Sequence, residues 1–128
     1  MKLINGKEIA NIIKEEIREK LNNLRSNEIV PTLAIVQVGD NPASNIYINN
    51  KIKLCKDLNC NAKLLKFSDE ITEAQLIEEI RKLNKDNEIN GILVQLPLNK
   101  NINEETILEE IEPIKDVDCF TLRNVGKL

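Results

Sequence analysis

Residues 38–53, VGDNPASNIYINNKIK, have the pattern of a strand that ends in a polar turn and leads directly into a helix. Tyr47 and Lys51 lie four residues apart in it, which places both side chains on one helical face, roughly 5–6 Å apart at Cβ. The turn offers three side chains that can cap the helix by accepting a hydrogen bond from a free backbone N–H: Asp40, Asn41 and Ser44. This stretch therefore predicts a strand–helix junction that carries a tyrosine–lysine pair.

Tyr47 is the only tyrosine in a chain that has no histidine and no tryptophan. Acid–base chemistry near neutral pH would therefore lack its usual side chain. A lysine can take that part where burial or a cationic neighbour penalises its charged form. The simpler interpretation is a surface lysine whose aliphatic stem lies along a tyrosine at the edge of the core. Spacing alone leaves both interpretations open.

Strand-like and helix-like patterns alternate along the rest of the chain. Apolar, β-rich runs predict strands at residues 32–38, 61–67 and 92–96. Amphipathic spacing and capping patterns predict helices at residues 7–25, 43–58, 72–85 and 103–111. Such alternation is typical of βαβ units, whose right-handed crossovers build a parallel sheet with helices on both faces. We therefore predict one domain, residues 1–128, with a three-layer α/β/α fold around a mainly parallel sheet.

The polar residues at the ends of two predicted strands indicate where a site would lie. Gly39 and Asp40 end the first strand, and residues 95–97, QLP, end the third. Because ligands of such sheets bind beyond the carboxyl ends of the strands, we expect both groups at the same edge as the Tyr47/Lys51 turn. The pattern does not say at which edge residues 115–119, KDVDC, lie, since a helix of about nine residues advances only ~13 Å.

Composition narrows the possible functions. The net charge of −3 is spread along the chain without a basic stripe, which argues against nucleic-acid binding. The apolar runs are too short to cross a bilayer and the N-terminus has no apolar signal region, so we expect a cytoplasmic protein without membrane contact. The three cysteines form no CxxC and have no histidine beside them, so we expect free thiols and no metal site. The four glycines form neither a GxGxxG nor a Walker loop, so any dinucleotide must bind elsewhere.

Five motifs in this order and spacing resemble the bifunctional methylenetetrahydrofolate dehydrogenase/cyclohydrolase family: VGDNPAS, YINNKIK, GILVQLPL, PIKDVDCF and NVGKL. The resemblance runs from about Lys2 to the last residue. It implies a folate-binding catalytic domain, which in the family precedes a Rossmann domain that binds NADP and that this chain does not include. It also implies oxidation of 5,10-methylene-tetrahydrofolate to the 5,10-methenyl form and hydrolysis of that form to 10-formyl-tetrahydrofolate, in the one-carbon metabolism that supplies purine biosynthesis. The family is dimeric, whereas the oligomeric state of these 128 residues and the choice of NADP or NAD stay open.

The resemblance assigns roles to individual residues. It implies that Lys51 is the catalytic acid–base and that Gln95 holds and tunes it. Tyr47 would stack on the folate, and Asp118 would bind the pterin. The full set of implied substrate-binding residues is Tyr47, Ser44, Val94, Leu96, Pro97 and Asp118. The family's KDVDG motif ends in Cys119 here, so a positive φ at that position would be strained and would alter how Asp118 is presented.

Each of these residues also has an ordinary structural interpretation. Gln95 could be the polar end of a strand, Asp118 a loop cap and Ser44 a helix cap. Three alternative functions remain beside the enzyme: a folate-binding domain without catalysis, the substrate domain of a related amino-acid or shikimate-type dehydrogenase, and a structural module. The family's site is a cleft between two domains, so the activity of this domain alone stays open.

Overall fold

The predicted alternation of strands and helices is present in the computed structural model, which describes residues 5–128. The start of the family resemblance at Lys2 lies outside that range. In chain order the elements are α1 (Gly6–Ser26), β1 (Thr32–Val38), α2 (Pro42–Asp57), β2 (Asn61–Phe67), α3 (Glu73–Lys85), β3 (Gly91–Val94), α4 (Glu104–Glu109) and α5 (Leu122–Val125). The sequence pattern predicted all of these except the short helix α5.

The three strands form one parallel sheet in the order β2–β1–β3. In the central strand β1, Thr32 lies opposite Asn61 of β2, and Leu33 lies opposite Gly91 of β3. The last five residues of β1 are buried, as expected for a strand covered on both faces. The edge strand β2 has only exposed and half-buried residues. The predicted α/β fold with a parallel sheet is confirmed.

Apolar side chains pack against both faces of the sheet. On one face Val36 of β1 belongs to a cluster with Ile80 of α3 and Ile107 of α4. On the other face Ile35 packs with Ile48 of α2. Successive side chains of a strand point to opposite faces, so neighbouring residues of β1 hold helices on opposite sides. The predicted three layers are therefore present, and α2 is fixed on its side of the sheet by these contacts.

The helix starts follow local capping chemistry. Of the three candidates before α2, the Asn41 side chain is the cap, accepting from the N–H groups of Ala43 at 2.9 Å and Ser44 at 3.2 Å. The predicted capping box of α3 is complete, with reciprocal hydrogen bonds between Thr72 and Gln75. These caps fix the first turns of both helices.

The apolar stripe of α1 is not buried. Its isoleucines Ile9, Ile12, Ile13 and Ile17 are between 39% and 55% exposed. Nη1 of Arg18 donates to the carbonyl oxygen of Asp57 at 2.8 Å, which joins α1 to the end of α2. An amphipathic pattern predicts a helix but not what covers its apolar face. Within residues 5–128, no helix combines the length and the apolar composition that a bilayer span requires.

The turn after β1 depends on a glycine. Gly39 has φ +76°, and its Cα lies so close to the Asp69 carboxylate that a Cβ would collide with it. Its N–H donates to the carbonyl oxygen of Phe67 at 2.9 Å. Only a residue without Cβ satisfies both conditions. This turn sends the chain from β1 into α2 at the carboxyl edge of the sheet.

Candidate functional site

Lys51 and Gln95 are in contact, although 44 residues separate them. Nζ of Lys51 donates to Oε1 of Gln95 at 3.0 Å. The backbone N–H of Gln95 donates to the Val36 carbonyl oxygen at 2.9 Å, which continues the pairing with β1 one residue beyond β3. Nε2 of Gln95 donates to the carbonyl oxygen of Leu96 at 2.8 Å. The amide is thus held at both ends, with its oxygen directed toward the lysine.

Tyr47 lies one helical turn before Lys51 on α2 and is 62% exposed. The next residue, Ile48, is 1% exposed and fixes this part of the helix against the sheet. The tyrosine ring therefore stands at the surface, on a helix that is itself anchored. An exposed aromatic face of this kind is suited to stacking against a flat ring.

A buried polar residue behind the site was missed by the sequence interpretation. Gln37 is 2% exposed within the otherwise apolar β1, and its Nε2 donates to Oδ1 of Asn45 at 2.7 Å. Oδ1 of Asp40 accepts from Nδ2 of Asn45 at 2.9 Å and from Nζ of Lys66 at 2.6 Å. The hydrogen bond from Lys66, and then that from Asn45, lowers the pKa of Asp40. The single amide in an apolar strand was the signal that could have predicted this network, which ties β1 and β2 to the start of α2.

Residues 115–119 lie beside β3, which settles the edge that the sequence left open. The Ile92 N–H donates to the carbonyl oxygen of Lys115 at 2.7 Å, and Ile92 and Asp116 form a parallel bridge. The positive charge of Lys51 acts on the Asp118 carboxylate, so Asp118 lies on the side of the sheet that carries Lys51. The KDVD segment is therefore at the same edge as Lys51 and Gln95.

Asp118 responds to the charges around it. Partial burial raises the pKa of Asp118, the positive charge of Lys51 acts to lower it, and the negative charge of Asp116 raises it. The net result is a raised pKa. The influence of Lys51 means that the lysine and this carboxylate lie within electrostatic range of each other across the site.

Cys119 has φ +60°, in the left-handed region that favours glycine. A positive φ at this position was expected to strain the backbone, and the positive φ is present. The cysteine therefore keeps the backbone shape of a glycine motif at a steric cost.

The VQLP residues differ in how they could meet a ligand. The Val94 side chain is 2% exposed and belongs to the core on the α3 side, so a contact with substrate would have to come from its backbone. Leu96 packs against the same core, and the peptide bond between Leu96 and Pro97 is cis. Pro97 is exposed and lines a cleft of about 570 Å³ together with Asn41 and Asp69. Ser44, another predicted ligand contact, is 5% exposed beneath the first turn of α2.

Comparison with known proteins identifies the family. Residues 4–118 match the family model described as the catalytic domain of tetrahydrofolate dehydrogenase/cyclohydrolase. The chain belongs to the tetrahydrofolate dehydrogenase/cyclohydrolase family. This confirms the family resemblance that the motifs indicated.

Individual members of the family resemble the chain along nearly its whole length. Bifunctional protein FolD of Acetivibrio thermocellus is 46% identical over 127 residues, covering 99% of this chain and 45% of the relative. The crystal structure of bifunctional FolD from Campylobacter jejuni matches with a TM-score of 0.95 at 43% identity, over 98% of this chain and 45% of that one. The Trypanosoma brucei methylenetetrahydrofolate dehydrogenase-cyclohydrolase, solved with NADP cofactor and inhibitor, gives a TM-score of 0.90 at 29% identity, over 98% and 43% of the two chains. The chain thus spans about half the length of the curated relatives it matches.

The motifs of the family converge here on one edge of the sheet. Tyr47 and Lys51 come from α2, Gln95 from the end of β3, and Asp118 from the segment that runs beside β3. Their catalytic and binding roles stay predictions, but the side chains that such roles require are gathered by the fold.

Proposed function

We propose that residues 1–128 are the folate-binding catalytic domain of a methylenetetrahydrofolate dehydrogenase/cyclohydrolase. In this proposal the protein acts in cytoplasmic one-carbon metabolism that supplies purine biosynthesis, and the whole enzyme is a homodimer. The observation that carries the proposal is the 3.0 Å hydrogen bond from Lys51 to Gln95, beside an exposed tyrosine ring and a carboxylate. A surface lysine without a function has no need of an amide partner anchored to the end of a strand.

The substrate would lie across this edge with its flat ring against Tyr47. Stacking of two flat rings contributes about 0.5–1.5 kcal/mol beyond the burial of area. Asp118 would accept hydrogen bonds from the donor edge of the pterin, a charge-assisted contact. Burial raises the pKa of Asp118, and the positive charge of Lys51 acts to lower it. Tyr47 and Asp118 would thus fix the two halves of the ligand on either side of Lys51.

Lys51 would act as the acid–base of the hydrolytic step. The methenyl carbon is cationic and flanked by two nitrogens, so its presence disfavours a second positive charge and favours the neutral amine. The amine takes a proton from water as the water oxygen bonds to the methenyl carbon. It then returns that proton to the departing nitrogen as the C–N bond breaks. The remaining hydroxyl proton is released to solvent water as the C=O bond of the formyl group forms on the other nitrogen. Gln95 accepts from the lysine and so directs its amine without adding charge.

NADP does not fit the residues of this chain. A dinucleotide needs a glycine-rich turn that lets its phosphates approach the backbone, and the glycines at positions 6, 39, 91 and 126 build none. In the proposed enzyme a Rossmann domain outside residues 1–128 would bind NADP, and NADP would supply the hydride acceptor. The residues described here would then hold and orient the folate during both half-reactions.

The hydrolytic assignment is tested by the loss of methenyl-tetrahydrofolate absorbance. The test compares the 128-residue chain, Lys51→Met and Lys53→Met, the last being a matched control because Lys53 is an exposed lysine of α2 that points away from Lys51. We expect Lys51→Met to lower the rate at least 100-fold and Lys53→Met to leave it unchanged. A measurable wild-type rate that Lys51→Met leaves unchanged would remove the assigned role.

Binding without turnover is the second candidate, and the 62% exposure of Tyr47 favours it, because a site open to water keeps its binding contacts but does not shield the reaction. Calorimetry with 5-formyl-tetrahydrofolate, a stable folate, distinguishes the two. Binding with no loss of methenyl absorbance would support a folate-binding domain that is inactive alone. Absence of both would leave the family membership intact and refute a functional folate site in these 128 residues.

A further inference from the structure

We propose that Asp116 is a positioning residue of the folate site, whose carboxylate holds residues 116–121 in the turn that directs Asp118 toward Lys51. This inference rests on the proposed function and adds to it a residue that touches neither substrate nor lysine. Asp118 is carried by a loop, whereas Tyr47 and Lys51 are carried by α2 and Gln95 directly continues the pairing of β3 with β1.

The Asp116 carboxylate accepts four hydrogen bonds from the residues that follow it. Oδ2 accepts from the Thr121 N–H at 2.9 Å, from Oγ1 of Thr121 at 2.9 Å and from Nδ2 of Asn124 at 3.1 Å. Oδ1 accepts from the Phe120 N–H at 3.2 Å. Both oxygens are therefore engaged by the far end of the turn, and the carboxylate closes the turn over residues 117–119.

The charge state of Asp116 agrees with this arrangement. Burial acts to raise the pKa of Asp116, but the hydrogen bonds from Thr121, Phe120 and Asn124 outweigh it, and the pKa is lowered. The Asp116 carboxylate is therefore ionised near neutral pH, and it can accept from all four donors. Hydrogen bonds to an ionised acceptor are about twice as strong as neutral ones.

The two ends of the turn are anchored while its middle is not. Upstream, Lys115 is joined to β3 through Ile92, and its Nζ donates to the carbonyl oxygens of Leu83 at 3.0 Å and Asp86 at 2.7 Å. Downstream, Thr121 is 1% exposed. Cys119 lies between them at φ +60°. This conformation is strained for a residue with a Cβ and persists only while the surrounding contacts hold it. Asp118 is the neighbour of Cys119 and would turn with it.

Asp116→Asn is the variant that tests the proposal. It keeps the size of the side chain but removes the negative charge and replaces one acceptor oxygen by an NH₂ group, so at least one of the four donors loses its acceptor. We expect the affinity for 5-formyl-tetrahydrofolate, measured by calorimetry on the 128-residue chain, to fall about tenfold. Asp118→Asn should weaken binding directly. The double variant should bind no more weakly than Asp118→Asn, because a residue that acts only through Asp118 has nothing left to position.

Glu109→Gln is the matched control. Oε1 of Glu109 accepts from the Leu122 N–H at 2.5 Å, one residue beyond Thr121, and so does not hold the Asp116 turn by a hydrogen bond. This control should lose stability without losing affinity. If Asp116→Asn does not fold, Thr121→Val removes one of the four hydrogen bonds at nearly constant volume, and the same cycle is run with it.

The outcomes separate this inference from the proposed function. Wild-type affinity in a folded Asp116→Asn variant, or a full loss that persists in the Asp118→Asn background, would overturn the positioning role. Absence of binding by wild type would refute the proposed function alone. In that case crystal structures of wild type and Asp116→Asn decide: an Asp118 carboxylate turned away from Lys51 in the variant supports the inference, and an unchanged one overturns it.

Discussion

Replacing Cys119 by glycine is expected to stabilise the protein. The left-handed conformation costs a residue with a Cβ roughly 1–2 kcal/mol, and Cys119 holds it at φ +60°. Glycine removes that cost, but its unfolded chain has more conformational freedom. This freedom lowers the free energy of unfolding by about 0.4–1 kcal/mol. Loss of the half-buried sulfur subtracts a few tenths more. The expected net gain in the free energy of unfolding is therefore about 0.5 kcal/mol, within a range from about zero to ~1.3 kcal/mol.

Urea denaturation followed by circular dichroism measures this change, and a thermal scan should show a rise in Tm of roughly 2–4 °C. Two variants isolate the cause. Cys119→Ala removes the thiol but keeps the Cβ, so it should give no gain. Asn59→Gly sits at φ +60° as well, but asparagine tolerates this region, so its gain should be near zero.

A Cys119→Gly variant that is less stable than wild type would refute the assigned strain. So would an equal gain from Cys119→Ala, since the sulfur rather than the backbone would then be responsible. Folate affinity should not fall in Cys119→Gly, because glycine adopts the same φ and leaves Asp118 in place.

Two further predictions follow from the turn after β1 and from the end of α2. Gly39→Ala should cost about 1–2 kcal/mol in urea denaturation, since φ +76° is strained for a residue with a Cβ and the Asp69 carboxylate would have to move aside. Gly6→Ala, with open space around it, should cost nothing, and equal effects would contradict the steric account. Burial, and then the neighbouring Cys60, raises the pKa of Cys55 to about 11, so near pH 8 only ~0.1% of it is thiolate. Ellman's reagent should therefore leave Cys55 unlabelled in the folded protein near pH 8, as measured by mass spectrometry, and labelling should become faster as the pH rises. Early labelling of Cys55 would show that it is not buried as described.

The strands and most helices could be predicted because local chemistry and tertiary structure agree there. The apolar run of β1 matches its burial on both faces, and Thr72 and Gln75 form the capping box that their spacing indicates. The contact between Lys51 and Gln95 was expected from the resemblance to the family. The pattern of strands and helices alone predicted no more than that Lys51 and Gln95 lie at the same edge of the sheet.

What escaped prediction depends on contacts that no local pattern contains. The position of residues 115–119 is fixed by a backbone hydrogen bond to Ile92, which leaves no mark on side-chain periodicity. Gln37 was taken as part of an apolar run because its partner, Asn45, lies on another element. The helical pattern of α1 was clear, but the exposure of its isoleucines depends on what lies beside it rather than on the pattern.

The site is not equally firm on its two sides. Lys51 lies on α2, and Ile48 of the same helix packs against the central strand. Its partner Gln95 directly follows a buried strand and pairs with β1. Both residues are therefore held by the close-packed core. Asp118 instead sits in a turn held by one bridge to β3 and by the Asp116 carboxylate. Mild destabilisation should therefore release the carboxylate before it disturbs the lysine. Hydrogen exchange should show this directly, with the amides of Phe120 and Thr121 exchanging faster than that of Gln95; the reverse order would mean that the turn is the firmer half of the site.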